Sequence, residues 1–376
     1  MTFEQYQGRK YMPELDGLRA ISVLLVVSVH MHTRMWHWMA GGLGVTIFFV
    51  LSGFLITTLL LREEQQRGSV SLRAFYIRRA FRILPLYYVV LGAYALLICG
   101  IGIGTEKKAA FLKVLPYYLT YLQDIPYFFH TGLSRTLPYY QSWSLGIEEK
   151  FYLIWPLLAF VALGAGMRRP RIVLATALAT ALFVASLLPH SVGNAVYPYV
   201  GILLGCLLAL VLEHKTSFEA IAGFSNGTTI AAIAILLAII HFIIPNIHHL
   251  ITERIATTMY SFVAAMLIGG LVTGSGLLKR LLSCRALVFV GKLSYGIYLC
   301  HLLCLNAIEK AIRTDSSPKL DVLAYFLACS LSIGVAYVMS LLVERPLIRA
   351  GQQLSHKMLR KRCDRGIVPI PAGSIR

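Results

Sequence analysis

The chain has 376 residues, of which 57% are apolar and only 14% charged, and its mean hydropathy is +0.69. Soluble domains carry about 25% charged residues, so this balance excludes an ordinary soluble enzyme and points to a polytopic membrane protein. The formal net charge of +18 would suit a nucleic-acid binder, but the excess Lys and Arg lie in short loops and the tail with no nucleic-acid module around them, so no nucleic-acid partner is expected.

No apolar segment shows the alternation of about ten-residue strands that marks a membrane barrel, and helices are the other spanning option. With about 20 residues as the spanning length, the sequence predicts an all-α bundle of about ten transmembrane helices, near 15–33, 42–62, 82–101, 147–165, 172–189, 195–213, 228–245, 255–273, 286–308 and 320–343. Residues 1–349 would form an integral membrane domain and 350–376 a basic tail, membrane-skimming and then disordered beyond Leu354, with Pro369 and Pro371. Met1 to Met12 is polar, so no cleavable signal peptide is expected. Charge alternates between connections. Arg9 and Lys10 precede the first helix, Arg62 to Arg82 follow the second, Arg168, Arg169 and Arg171 follow the fourth, and Lys279, Arg280 and Arg285 follow the eighth. By the positive-inside rule both termini are cytoplasmic.

The first helix places Arg19 and His30 in an apolar run. An ionisable residue at the centre of a spanning helix costs roughly 2.5–3.5 kcal/mol on insertion scales, so it reads by default as functional. Eleven residues at about 100° each return to within about 20° and rise about 16 Å, which puts both side chains on one face. Asp16 lies one turn before Arg19 and can pair with it. The bland reading is an arginine that snorkels to the headgroups and a histidine at the helix end.

Next, Gly41-Gly42-Leu43-Gly44 and Phe48-Phe49-Val50-Leu51-Ser52-Gly53-Phe54 offer small residues for close helix packing. Arg73, Arg78, Arg79 and Arg82 precede the third helix, with Arg78 and Arg79 each within a turn of Arg82. Guanidinium forks suit phosphate oxygens, as an acyl-CoA donor would require; a positive-inside stop signal is the equal alternative. The connection Gly102 to Gly146 is rich in proline and aromatics, including Tyr117, Tyr118, Tyr121, Tyr127, Tyr139, Tyr140 and Trp143, rings that can seat sugars or form an interfacial belt.

Glu148 and Glu149 open the fourth helix, where unpaired N–H groups stabilise negative charge; the functional reading is a carboxylate that orients a histidine or binds acceptor hydroxyls. Further on, Ser294, Tyr298 and His301 form one polar stripe at i, i+4 and i+7. A lone histidine there is often a bridge across the bundle, but three groups in register suggest a cavity. The seven cysteines show no CxxC pair, so neither a disulfide framework nor a metal site is expected. No internal repeat of the inverted-repeat transporter kind is evident.

In order, Leu15-Asp16-Gly17-Leu18-Arg19-Ala20 with the Arg-x10-His pair, the Phe48 to Phe54 run, Arg79-x-x-Arg82 leading to Pro85, Ser142-x-Ser144-x4-Glu149 ending Phe151-Tyr152, Leu293 to His301 and Val343-Glu344-Arg345-Pro346 form a specific set. It resembles the acyltransferase 3 family of bacterial membrane-bound O-acyltransferases over roughly Tyr11 to Pro346, in the form without an appended SGNH-type esterase domain. Lys150 stands where that pattern has glutamine, which leaves the Glu149 assignment open. The resemblance implies a ten-helix acyltransferase domain of the bacterial inner membrane, with Arg19 and His30 essential and the arginine-rich cytoplasmic loop engaging acyl-CoA.

The expectation is an O-acyltransferase that moves acetyl from cytoplasmic acetyl-CoA to a hydroxyl of a cell-envelope or secreted glycan. His30 would serve as general base, Asp16 and Arg19 would hold the donor side, and Arg78, Arg79 and Arg82 would take the donor phosphates. Glu148, Glu149, Ser294, Tyr298 and His301 would support the acceptor. Two alternatives stand beside it: a cytoplasmic acyltransferase acting on a macrolide or other small glycosylated acceptor, and a transporter or flippase, for which intramembrane charges are also expected.

Overall fold

A computed structural model describes residues 1–31, 34–129, 137–188, 190–247, 249–312 and 318–364. Every regular element among them is helical. In chain order these are α1 Phe3–Gly8, α2 Pro13–Val29, α3 Leu43–Arg67, α4 Leu72–Ala95, α5 Lys108–Leu119, α6 Asp124–Phe129, α7 Trp143–Pro156 and α8 Arg168–Ser186. Then follow α9 His190–Leu212, α10 Lys215–Phe224, α11 Gly227–Ile243, α12 Leu250–Thr273, α13 Leu277–Leu282, α14 Arg285–Ile312, α15 Pro318–Met339 and α16 Arg345–Asp364.

Eight of these helices, with their continuations, are long and apolar enough to cross a membrane: those at Leu43–Arg67, Leu72–Ile101, Arg168–Ser186, Ser191–Leu212, Gly227–Asn246, Thr252–Thr273, Arg285–Ile312 and Pro318–Leu359. The chain is a multi-pass membrane protein. The two other segments expected to span do form helices. However, α2 has 17 residues, about 26 Å at 1.5 Å each, and α7 carries Glu148, Glu149 and Lys150 before passing into a π turn at Leu157–Ala162. The last expected span runs on, through a π turn at Ser340–Glu344, as one helix of 42 residues. The proline-bearing end of the tail lies outside the described residues.

The chain divides into two compact units, the first made of Met1–Leu55 with Ala175–Tyr337 and the second of Ile56–Leu174 with Val338–Arg376. All three joins fall inside helices, in α3, α8 and α15.

In the first unit α2 is central. Ala20, Val23, Val26 and Val27 are all fully buried, the mark of a helix surrounded by protein rather than lipid. Gly53 of α3 lies so close to α9 that a methyl group there would fall on the Ile202 carbonyl, the packing role expected for the glycine-rich run. By contrast, α11 turns Ile235, Leu236, Ile239 and Phe242 outward, as a lipid-facing helix must. Arg254 is buried and donates from Nη1 to the Ser186 and Leu188 carbonyls at 2.7 and 2.6 Å, which satisfies orphan acceptors at the end of α8.

In the second unit Arg171 plays a similar part. It is 1% exposed, forks onto Glu64 with two bonds of 2.7 Å, and donates to the Ala159 and Gly164 carbonyls at 2.6 Å. Trp155 donates from its indole to Thr57 Oγ1 at 3.0 Å, joining α7 to α3. The rings of the aromatic connection pack on one another. Tyr87 stacks on Tyr121 at 4.2 Å and lies 5.2 Å from Tyr139, and Tyr127 stacks on Trp143 at 4.9 Å. Tyr118, Tyr121 and Tyr139 are buried, so these rings are core rather than a sugar platform.

Candidate active site

The first unit builds its polar centre where α2 meets α13 and α14. Pro13 starts α2, a position where its missing N–H costs nothing. Just inside, Glu14 is fully buried and accepts a fork from Arg9 at 2.7 and 2.6 Å, with the Lys279 ammonium at 3.7 Å. Lys279 also donates to the Gly274 carbonyl at 2.8 Å, closing the end of α12. Burial holds the Lys279 ammonium below its ordinary pKa, and the Glu14 carboxylate opposes that shift.

Gly17 and Gly291 set the spacing of this centre. A methyl at Gly17 would fall on the Leu282 carbonyl of α13, and one at Gly291 on the Asp16 carbonyl of α2. Only glycine allows backbones this close. Farther along, His301 of α14 meets His30 at the end of α2, so the two helices run in the same direction, with Asp16 beside Gly291 and His30 beside His301. In that register Arg19 and Ser294 each stand about 4.5 Å beyond the Asp16–Gly291 contact.

His30 and His301 lie with ring centroids 4.8 Å apart and with His301 Nε2 3.3 Å from His30 Nδ1. The surrounding carbonyls fix the tautomers, because a carbonyl only accepts. His301 Nδ1 is 2.7 Å from the Tyr298 carbonyl and therefore carries its proton, which makes Nε2 the acceptor. His30 Nδ1 is 2.7 Å from the Val26 carbonyl and donates there, with His301 Nε2 as a second acceptor. In neutral His30 the lone pair then resides on Nε2. Protonating His30 at Nε2 leaves its Nδ1–H in place toward Val26 and His301, so the ring can hold a proton there.

The remaining residues named from sequence divide as follows. Asp16 accepts from the Tyr11 hydroxyl at 2.5 Å rather than from Arg19, which is half-buried. The Lys292 ammonium sits 5.0 Å over the Tyr11 ring. Tyr298 is buried with its ring 5.8 Å from that of His301, and the Ser294 hydroxyl is buried without a hydrogen-bond partner.

The arginine group and the glutamates belong to the second unit. Arg78 is bound at 2.6 Å by Glu63, whose other oxygen accepts from the Ser71 N–H at 3.0 Å, the start of α4. Arg79 lies with its guanidinium 4.2 Å over the Tyr152 ring, and the Tyr152 hydroxyl donates to Glu148 at 3.0 Å. Arg82 is exposed. Glu149 is close enough to Arg79 and Glu148 to feel both charges. Lys150, the departure from the family pattern, forms an ion pair with Asp124 of α6. The Arg78 fork is committed to Glu63, whereas the Arg79 guanidinium lies over a ring and Arg82 is exposed.

Sequence reasoning gave no place in this centre to Glu14, Tyr11 or Lys279. Glu14 alone carried a signal, as a carboxylate in the first turn of an apolar helix.

Residues 12–341 match a family model described as an acyltransferase domain. A Staphylococcus aureus protein named "Putative O-acetyltransferase" is 30% identical over 372 residues, 93% of this chain and 59% of that protein. The "Peptidoglycan O-acetyltransferase OatA" of Listeria monocytogenes is 30% identical over 313 residues, 78% of this chain and 49% of that protein. The chain spans about three-fifths of the first of these relatives and half of the second. No solved structure matches it.

Proposed function

The chain belongs to this acyltransferase family, and from that premise we propose that it is a membrane O-acyltransferase of the bacterial inner membrane, moving acetyl from acetyl-CoA to a hydroxyl of a cell-envelope glycan. The relatives' names, which include a peptidoglycan O-acetyltransferase, support the acetyl group and the glycan class. The observation that carries the reading is the His30–His301 contact, which fixes a tautomer with the His30 lone pair on Nε2. That nitrogen takes the proton of the acceptor hydroxyl as its oxygen attacks the thioester carbonyl. The C–S bond then breaks, and the departing thiolate takes the proton back from the His30 imidazolium, so the group ends as it began. His301 steadies the charged ring through its Nε2 lone pair. Arg19, half-buried on the same helix, is the cation for the donor side, with Asp16 and Tyr11 beside it. In the second unit Arg79 and Arg82 take donor phosphates. Both termini lie in the cytoplasm, with α2 and α7 counted as spans to make ten.

Purified protein in detergent, given labelled acetyl-CoA and a soluble glycan, should transfer label to the sugar. Neither transfer to a hydroxyl nor acetyl-CoA turnover would overturn the reading, and glycan movement without acetylation would make the chain a transporter.

A further inference from the structure

In the first unit, at the His30 end of α2, two buried side chains each hold a polar atom without a hydrogen-bond partner. Trp36, in the short helix Arg34–Met39, is 8% exposed with its Nε1 unpartnered. Asp321, in the first turn of α15, is 8% exposed with its Oδ1 unpartnered. Tyr325 connects them. It lies one turn beyond Asp321 on the same face of α15, its ring stacks on Trp36 with centroids 4.4 Å apart and planes 29° apart, and its hydroxyl donates to the Leu24 carbonyl of α2 at 3.2 Å. Leu24 precedes His30 by six residues, about 9 Å of helix, and Trp36 follows it by six. The three side chains therefore belong to the same end of α2 as the histidine pair.

Packing accounts for the ring stack, and the helix N-terminus accounts for the charge of Asp321. Neither accounts for an indole N–H and a carboxylate oxygen that are withdrawn from water and left unpaired, since buried tryptophan N–H groups usually find an acceptor. A donor that cannot accept, an acceptor that cannot donate, and flanking aromatic rings are together the groups that hold a ring bearing hydroxyls. One hydroxyl accepts from the indole, another donates to the carboxylate, and the apolar C–H face of the ring lies on the aromatics.

We infer that Trp36, Asp321 and Tyr325 form the acceptor subsite, which takes a sugar ring and presents its hydroxyl toward His30; this rests on the O-acyltransferase reading above. Both unpartnered atoms are covered by neighbouring groups, so the subsite requires the Arg34–Met39 helix to move aside before a ring can reach them. The Trp36 N–H and the Asp321 carboxylate then select a polyhydroxylated ring over an apolar alcohol.

The test uses the full chain in detergent, with tetra-N-acetylglucosamine as the probe and binding measured by calorimetry beside acetyl-CoA binding and acetyl transfer. Trp36→Phe keeps an aromatic ring for the stack and removes the N–H, whereas Asp321→Ala removes the acceptor from a different element. Each should weaken probe binding about tenfold, the worth of one hydrogen bond to a buried group, and leave acetyl-CoA binding within twofold. Probe affinity equal to that of the unaltered chain in both variants would overturn the subsite, as would failure of the unaltered chain to bind the probe. Parallel loss of probe and acetyl-CoA binding in both would also overturn it, by making the residues structural. Probe binding that depends on both residues without acetyl transfer would support the subsite and overturn the transfer reading alone.

Discussion

His30 and His301 differ in what surrounds them, and the difference predicts different costs of substitution. His301 is fully buried and anchored by its own helix at Tyr298, while His30 is partly exposed at a helix end, with its lone pair on the nitrogen away from Val26. His30→Asn keeps a donor and an acceptor but cannot take a proton near neutral pH. His30→Ala and His30→Asn should both lower acetyl transfer by about 10²–10⁴-fold at matched amounts of folded protein, with donor binding retained. His301→Asn should cost less, because an amide can still accept from His30. Near-normal turnover in His30→Asn would remove His30 from the mechanism. At this scale the sequence singled out polar residues that interrupt an apolar run, and of these the structure brings His30 and His301 together. Trp36 and Asp321 sit in connecting or helix-starting positions where such residues are ordinary, and only the absence of hydrogen-bond partners distinguishes them. Arg171, counted from sequence among the loop charges that set topology, is fully used inside the protein by Glu64 and two carbonyls. Its charge says less about orientation than that of an exposed arginine.

The arginines at the start of α4 show how an element shares out side chains that look equivalent in sequence. Arg78 points to Glu63 of α3, Arg79 to Tyr152 of α7, and Arg82 outward. Arg79→Ala with Arg82→Ala should therefore weaken acetyl-CoA binding about tenfold or more, and lysine at both positions should restore it only in part, because a point charge does not replace a fork. Arg78→Ala should instead lower thermal stability and leave donor affinity nearly unchanged, since it removes the ion pair that ties α4 to Glu63 of α3. Unaltered acetyl-CoA affinity in the double alanine variant would assign Arg79 and Arg82 to topology alone. Hydropathy located the helices well, because burial of the backbone in lipid leaves few options. It could not show the π turns at Leu96–Ile101, Leu157–Ala162 and Ser340–Glu344, which hang on single hydrogen-bond registers. Nor could it show that the aromatic connection would bury its rings against one another, since stacking and interfacial placement draw on the same residue types.

At the scale of the whole molecule, loop charge predicts that Arg79 and Arg360 face the cytoplasm and Tyr127 faces out. Single cysteines at these three positions, in a chain cleared of its seven native cysteines, should react with a membrane-impermeant reagent in intact cells only at position 127. Labelling at 79 from outside would invert the model, and with it the side on which the donor is met.

The division of the chain has a consequence for inheritance and engineering. Domain boundaries usually fall in exposed linkers, but here each passage from one unit to the other lies within α3, α8 or α15. A chimera that swaps one unit with a relative would have to be cut in the middle of three helices and rejoined in phase, because a one-residue slip turns every following side chain by about 100°. A recombined chain therefore keeps each unit whole only where its crossovers fall inside those three helices and in phase.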